Sequence, residues 1–190
     1  PLHHSHLHES GYRHSSGAAR YVDDGPDPAG TLVSMVLPSP HARARILRME
    51  TSAAGETEGV HAVLTAADIP GDPRIGPIFH DELLLAEGEV HYRGQSVALV
   101  VGESYEACRR ACAAIEVEYE PLPALLSISD AIAADSFHGE PHVIRRGDTA
   151  AAFSSCAHVV DASVASGGQD HFYLETQSAL AIPEENGCFK

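Results

Sequence analysis

The sequence predicts a mixed α+β fold, on the strength of three neighbouring patterns. Val97-Ala98-Leu99-Val100-Val101 is a short, unbroken apolar run rich in β-branched residues, the mark of a strand buried on both faces. From Tyr105 to Ala114 the spacing is helical: Tyr105, Cys108 and Cys112 share a face, with Ala107, Ala111 and Ala114 beside them and Ser104 as N-cap. Ile115-Glu116-Val117-Glu118-Tyr119 then alternates strictly, aiming Ile115, Val117 and Tyr119 one way and the glutamates to water, until Pro121 and Pro123 stop the strand. Within the helix Glu106 and Arg110 stand i,i+4 in the favourable order, a pair worth about 0.2–0.5 kcal/mol. Strand, helix and strand together form the expected sheet core.

Upstream of this core, Pro1–Ser16 is polar and His-rich, with His3, His4, His6, His8 and His14, and reads as a flexible, solvated terminus. Tyr21-Val22-Asp23-Asp24 is expected to be a short extended piece ending in the turns of Gly25-Pro26-Asp27-Pro28. Strands follow at Thr31–Leu37, Ala44–Met49 and Gly59–Thr65, with a weak helix or loop at 51–58 between the last two. Thr65–Gly71 reads as one capped helical turn closed by Pro-Gly, and 71–77 and 81–87 as loops.

Downstream, Ser129–Ala134 is a short helical turn and Asp135–Gly147 a polar connection. A brief helix is expected at Asp148–Phe153, a strand at His158–Val164, and a second strand or strand pair at His171–Ile182. Asn186-Gly187 is a strong hairpin signal, whose returning strand would begin at the last residues.

Charge and composition narrow the function. Twelve basic against 27 acidic residues give a formal net charge of −15, and the only lysine is Lys190. Phosphate contacts need clustered Lys and Arg, so nucleic acid and anionic membrane are poor partners. No apolar run approaches the roughly 20 residues of a spanning helix, and no export signal opens the chain, so a cytoplasmic protein is expected. Cys108 and Cys112 lack a matching second pair and read as small packing residues, not as a zinc site. The histidines at the start could chelate a divalent ion, and Asp23-Asp24 could be mistaken for a metal pair, but a solvated terminus and a turn suffice. The chain starts at Pro1 and stops at Lys190 without closing an element, which suggests a piece of something longer.

There is no glycine-rich phosphate loop, nucleophile elbow or His-Glu-x-x-His. One segment stands out for chemistry, Ser166-Gly167-Gly168-Gln169-Asp170-His171-Phe172-Tyr173-Leu174-Glu175-Thr176-Gln177. Two glycines allow close approach of the backbone, and a dense run of hydrogen-bonding side chains follows. The neutral amide of Gln169 can donate to an oxo or hydroxo group without competing as a metal ligand. A β-bulge beside a polar strand edge would account for the same residues.

Several ordered motifs carry a resemblance. Gly17-Ala18-Ala19-Arg20-Tyr21-Val22-Asp23-Asp24, Ser39-Pro40-His41-Ala42-Arg43-Ala44-Arg45-Ile46, Thr65–Gly71, Tyr92–Val101 and Val117–Pro123 together resemble the α/β hammerhead domain of the molybdenum hydroxylases, the family of xanthine dehydrogenases and aldehyde oxidases. Gly167–Glu175 resembles the start of that family's molybdopterin-binding domain, and its His-Phe-Tyr-Leu-Glu run is similar to the xanthine dehydrogenase branch. Asp170 stands where the family more often has glutamate, a conservative departure.

The resemblance implies a map: a flexible terminus at 1–16, the hammerhead domain at 17–125, a linker at 126–147 and the first strands of a molybdopterin-binding domain at 148–190. It implies an N-terminal part of a molybdenum subunit that hydroxylates hypoxanthine or xanthine by attack of a metal-bound hydroxide. Electrons would pass to iron–sulfur clusters and FAD on a partner subunit or domain. Gln169 would lie beside the molybdenum, which a molybdopterin dithiolene holds, so no protein metal ligand is implied. The general base and the substrate-binding residues are expected beyond Lys190, and Glu175, Glu184 and Glu185 are not assigned that role. This chain alone is expected to be inactive and, within the intact enzyme, part of an oligomer. Two alternatives stay open: an aldehyde oxidase or other N-heterocycle hydroxylase, and a non-catalytic binding or scaffold module.

Overall fold

The computed structural model describes residues 5–173 and 177–190. His3 and His4 of the expected terminus, and the Leu174-Glu175-Thr176 part of the expected second strand, lie outside the described residues. In chain order the elements are α1 (Gly11–Ser16), β1 (Val33–Pro38), β2 (Ala44–Glu50), α2 (Ser52–Gly55), β3 (Val60–Leu64), β4 (Arg74–Ile75), β5 (Glu82–Leu83), β6 (Glu89–Val90), β7 (Ser96–Gly102), α3 (Tyr105–Ala114), β8 (Glu116–Pro121), α4 (Ile128–Ala133) and α5 (Thr149–Ser155). Single 3₁₀ turns occupy Val22–Asp24, Ala66–Asp68 and Glu185–Gly187. The chain divides into one unit at Ala29–His142 and another made of Pro1–Pro28 with Val143–Lys190.

In the first unit the apolar run becomes β7, the middle strand of a sheet ordered β1-β7-β3, antiparallel to both neighbours. Leu99 is paired with Val36 on one side and Leu64 on the other. A second sheet is ordered β6-β2-β8, with Ile46 opposite Tyr119. The strand–helix–strand stretch therefore does not build one sheet, as expected from sequence. β7 and β8 enter different sheets, and α3 carries the chain between them. Both faces of β7 are used: Ala98 and Val100 join a core with Ala54, Cys108, Ala111 and Ile115, while Val97 joins Ala44, Ala86 and Val90 in a second cluster. The loops expected at 71–77 and 81–87 contribute β4 and β5, a two-residue ladder pairing Arg74 with Leu83.

α3 is placed as predicted, and the Ser104 hydroxyl accepts the Ala107 N–H at 3.2 Å to cap it. Its buried face is Ala107, Cys108 and Ala111, and Tyr105 is exposed. The buried stripe is thus turned toward the alanines, because only small side chains fit where the helix presses on the sheet. Glu106 pairs most closely with Arg109 at 2.9 Å and less closely with the expected Arg110 at 3.8 Å. Arg110 also donates to the Glu58 carbonyl at 3.2 Å, which draws it off the helix surface.

In the second unit α1 forms within the stretch expected to be unstructured, and Gly17 ends it with a φ of 72°. Val22–Asp24 is a 3₁₀ turn, not an extended piece, because the Asp24 carboxylate accepts the Tyr21 N–H at 2.9 Å and closes it. α5 is capped by Asp148, which accepts the Ala151 N–H at 3.0 Å. Asn186 and Gly187 adopt φ of 62° and 74°, and Ile182 and Lys190 exchange two backbone hydrogen bonds of 2.9 Å, so the Asn-Gly hairpin closes on the last residues. The strand expected at 158–164 does not form, and the described parts of 171–182 are irregular. Val160 and Val164 are 88% and 90% exposed; alternation alone makes no strand where no partner strand supplies a ladder.

A Cβ at Gly102 would lie 2.7 Å from the Gly59 carbonyl oxygen and 3.1 Å from Cys108 Sγ. Gly102→Ala should therefore destabilise the Ala29–His142 unit by about 1–3 kcal/mol in denaturant unfolding, the usual cost of overpacking. An unchanged midpoint would show that α3 and β7 are less tightly joined than these distances require.

Candidate functional site

Gln169 sits on exposed, irregular chain. Gly167 and Gly168 have negative or extended φ, and a Cβ on either would meet nothing within 4 Å, so nothing in this chain crowds them. The β-bulge alternative is not realised among the described residues of this segment, where no ladder runs. The turn just after them is built locally: Asp170 Oδ1 accepts the Phe172 N–H at 3.2 Å, and Phe172 takes a φ of 44°. His171 and Tyr173 meet edge to face with ring centroids 5.7 Å apart. Asp170 is thus occupied in shaping the backbone, whereas the Gln169 carboxamide has no hydrogen-bond partner among the described residues. Nine residues further on, Ser178 Oγ donates to Asp23 Oδ1 at 2.7 Å. The 155-residue separation left no local pattern from which that contact could be read.

The motifs in the first unit place their polar residues in structural service. Among the described residues Ser39 and Gln95 are the two buried polar side chains. Ser39 Oγ accepts the His41 N–H at 3.1 Å, its N–H donates to the Gln95 carbonyl at 2.8 Å, and Gln95 Oε1 accepts the His91 N–H at 2.7 Å. The His41 ring meets that of Tyr119 at a tilt of 59° with centroids 4.9 Å apart, and burial pushes the Tyr119 hydroxyl up. Arg43 donates to Glu89 at 2.8 Å, and that hydrogen bond holds the Glu89 carboxyl below its ordinary range. These contacts tie the end of β1, the 91–95 turn, β6 and β8 to one another. Each is partnered within this unit.

No group of three or more His, Cys, Asp or Glu side chains able to hold a metal exists among the described residues. His8 and His14 approach edge to face at 6.1 Å, and His14 Nδ1 lies 3.3 Å from the Tyr21 hydroxyl. Among the described residues no helix is long and apolar enough to cross a membrane.

The family model for "Aldehyde oxidase and xanthine dehydrogenase, a/b hammerhead domain" matches residues 16–123, and that for "Molybdopterin cofactor-binding domain" matches residues 135–190. The chain belongs to the aldehyde oxidase and xanthine dehydrogenase family, with a hammerhead domain followed by the start of a molybdopterin-binding domain. It is 40% identical over 186 residues to xanthine dehydrogenase 1 of Arabidopsis thaliana, covering 96% of this chain and 14% of that protein. To xanthine dehydrogenase/oxidase of Mus musculus it is 38% identical over 170 residues, covering 90% of this chain and 13% of the relative. Among solved structures, the aldehyde oxidoreductase from Desulfovibrio gigas aligns with a TM-score of 0.64 at 29% identity, over 77% of this chain and 18% of that one. Quinoline 2-oxidoreductase from Pseudomonas putida 86 aligns with a TM-score of 0.64 at 31% identity, over 82% and 22%. The chain thus spans about 14% of the length of the curated relatives it matches.

The four cysteines are all free thiols, Cys108 buried, Cys112 half-buried, Cys156 and Cys188 exposed. Burial raises the Cys108 and Cys112 thiols above their ordinary range, and for Cys112 the neighbouring Cys108 adds to the effect. Because the thiolate is the reactive form, iodoacetamide near pH 8 should label Cys156 and Cys188 first, Cys112 slowly, and Cys108 only after unfolding. Peptide mass spectrometry over a time course reads the order; early labelling of Cys108 would contradict the packing of α3 on β7.

Proposed function

We propose that the whole protein is a xanthine dehydrogenase-type molybdenum hydroxylase acting on a purine such as hypoxanthine or xanthine. The observation that carries this reading is the 40% identity to a xanthine dehydrogenase across nearly the whole chain, through both domain matches and the Gln169 segment. In this reading residues 17–125 are the hammerhead domain, 126–147 the linker and 148–190 the first part of the molybdopterin-binding domain. The protein works in the cytoplasm, assembled with the rest of its molybdenum subunit and with a FAD- and iron–sulfur-bearing subunit or domain.

The residues present suit a molybdopterin cofactor. A carboxamide is uncharged at every working pH, so Gln169 can donate to an electron-rich oxygen and accept from a substrate N–H without becoming a ligand itself. Gly167 and Gly168 bring no side chain of their own beside it. A metal that arrives bound to the dithiolene of its own pterin needs no chelating cluster from this stretch. When bound, that cofactor supplies hydroxylation of an electron-poor carbon and takes up two electrons. Gln169 orients the reacting group by hydrogen bonding, and Asp170 beside it is engaged by the Phe172 N–H rather than by the cofactor.

A second substrate class, aldehydes or other N-heterocycles, draws on the fold shared with the aldehyde and quinoline oxidoreductases. Assays of the intact enzyme with hypoxanthine, quinoline and a simple aldehyde separate the two readings. In that enzyme Gln169→Ala should cut turnover by roughly 10²-fold, as loss of one preorganised donor commonly does, while molybdenum per chain stays at the wild-type level. Wild-type turnover in the variant would remove Gln169 from the reacting site.

A further inference from the structure

The opening motif ends in Tyr21-Val22-Asp23-Asp24, and the function proposed above makes no use of its two carboxylates. They have separate jobs. Asp24 is spent locally, its Oδ2 accepting the Tyr21 N–H at 2.9 Å and its carbonyl accepting Arg20 Nη1 at 3.3 Å. The turn closed in this way leaves Asp23 free to reach beyond it, and Asp23 Oδ1 takes the Ser178 hydroxyl at 2.7 Å. A hydroxyl donating to an ionised carboxylate is a stronger bond than its neutral counterpart. Pro1–Pro28 groups with Val143–Lys190 and not with Ala29–His142, as this contact requires.

We infer that Asp23 is a positioning residue for the stretch that carries Gln169: the opening motif straps that stretch at Ser178. The inference rests on the reading of Gln169 given above. Residues 167–173 and 177–178 carry no regular secondary structure, so anchoring the chain at Ser178 to a closed turn removes backbone freedom that cofactor or substrate binding would otherwise have to remove. The strap also explains why the motif carries two adjacent aspartates, one to build the turn and one to extend from it.

Hydrogen exchange on the full chain, read by mass spectrometry, tests the strap with Asp23→Ala, Asp23→Asn, Ser178→Ala and the Asp23→Ala/Ser178→Ala double variant. Asp23→Ala should speed exchange at 177–182 by about 2- to 12-fold, the range of one net hydrogen bond, and Ser178→Ala should do the same at 20–25. The double variant should be no faster than either single one, amides of β7 should not change, and Asp23→Asn, which keeps an acceptor oxygen, should restore most of the protection. Effects confined to each variant's own segment, additive effects in the double variant, or no difference between Asn and Ala at position 23 would each overturn the strap. Exchange reports on the strap alone and turnover of Gln169→Ala on the site alone, so failure of one is distinguishable from failure of the other.

Discussion

The seating of β7 between β1 and β3, with α3 pressed against it, is the constraint on which the Ala29–His142 unit depends. Four contacts meet at its C-terminal end. Val33 and Val60 both pair with Gly102 in the ladders, the Glu103 N–H donates to the Gly59 carbonyl at 2.8 Å, and the Cys108 thiol donates to the Val33 carbonyl at 3.6 Å. No side chain fits at position 102, and only alanine and cysteine line the facing stripe of α3. Because α3 leads straight into β8, the way it lies on β7 also sets where the second sheet begins. Met49, on β2, packs against both apolar clusters and couples them.

Within this unit the polar residues of the family's motifs serve that arrangement. Ser39, Gln95, Arg43 and Glu89 each have partners, and the partners lie at the junctions between strands. A buried hydroxyl or amide without a partner costs about 1–3 kcal/mol, so their identity is constrained by the fold itself. The candidate chemistry lies in the other unit, where Gln169 is exposed and its amide unclaimed by described residues.

Much of the first unit was legible in the sequence because its signals are local. The apolar run of β7, the Ser104 cap and the alternation of β8 each need only a few neighbouring residues, and each forms where expected. Pairing was not legible. β7 joins β1 and β3, and β8 joins β2 and β6, through contacts between distant parts of the chain, so the strand–helix–strand pattern suggested one sheet where there are two. The alternation at 158–164 misled for the reverse reason: its side-chain pattern is that of a strand, but Val160 and Val164 meet no partner. At the site, spacing alone raised Gln169 only as far as a polar residue after two glycines. Its role came from resemblance to a family. The Asp23–Ser178 contact left no trace in either, since it joins two exposed turns far apart in sequence.

The tightly packed hammerhead domain thus precedes the stretch proposed to meet a cofactor. The proposed purine hydroxylation by a molybdenum enzyme is what most needs testing. The most direct measurement is on the intact protein purified from its source: molybdenum per chain by mass spectrometry, together with urate formed from hypoxanthine. The expected result is close to one molybdenum per polypeptide and urate formation that scales with molybdenum content. A metal-free protein, or a molybdenum-loaded one that leaves hypoxanthine and xanthine untouched, would contradict it.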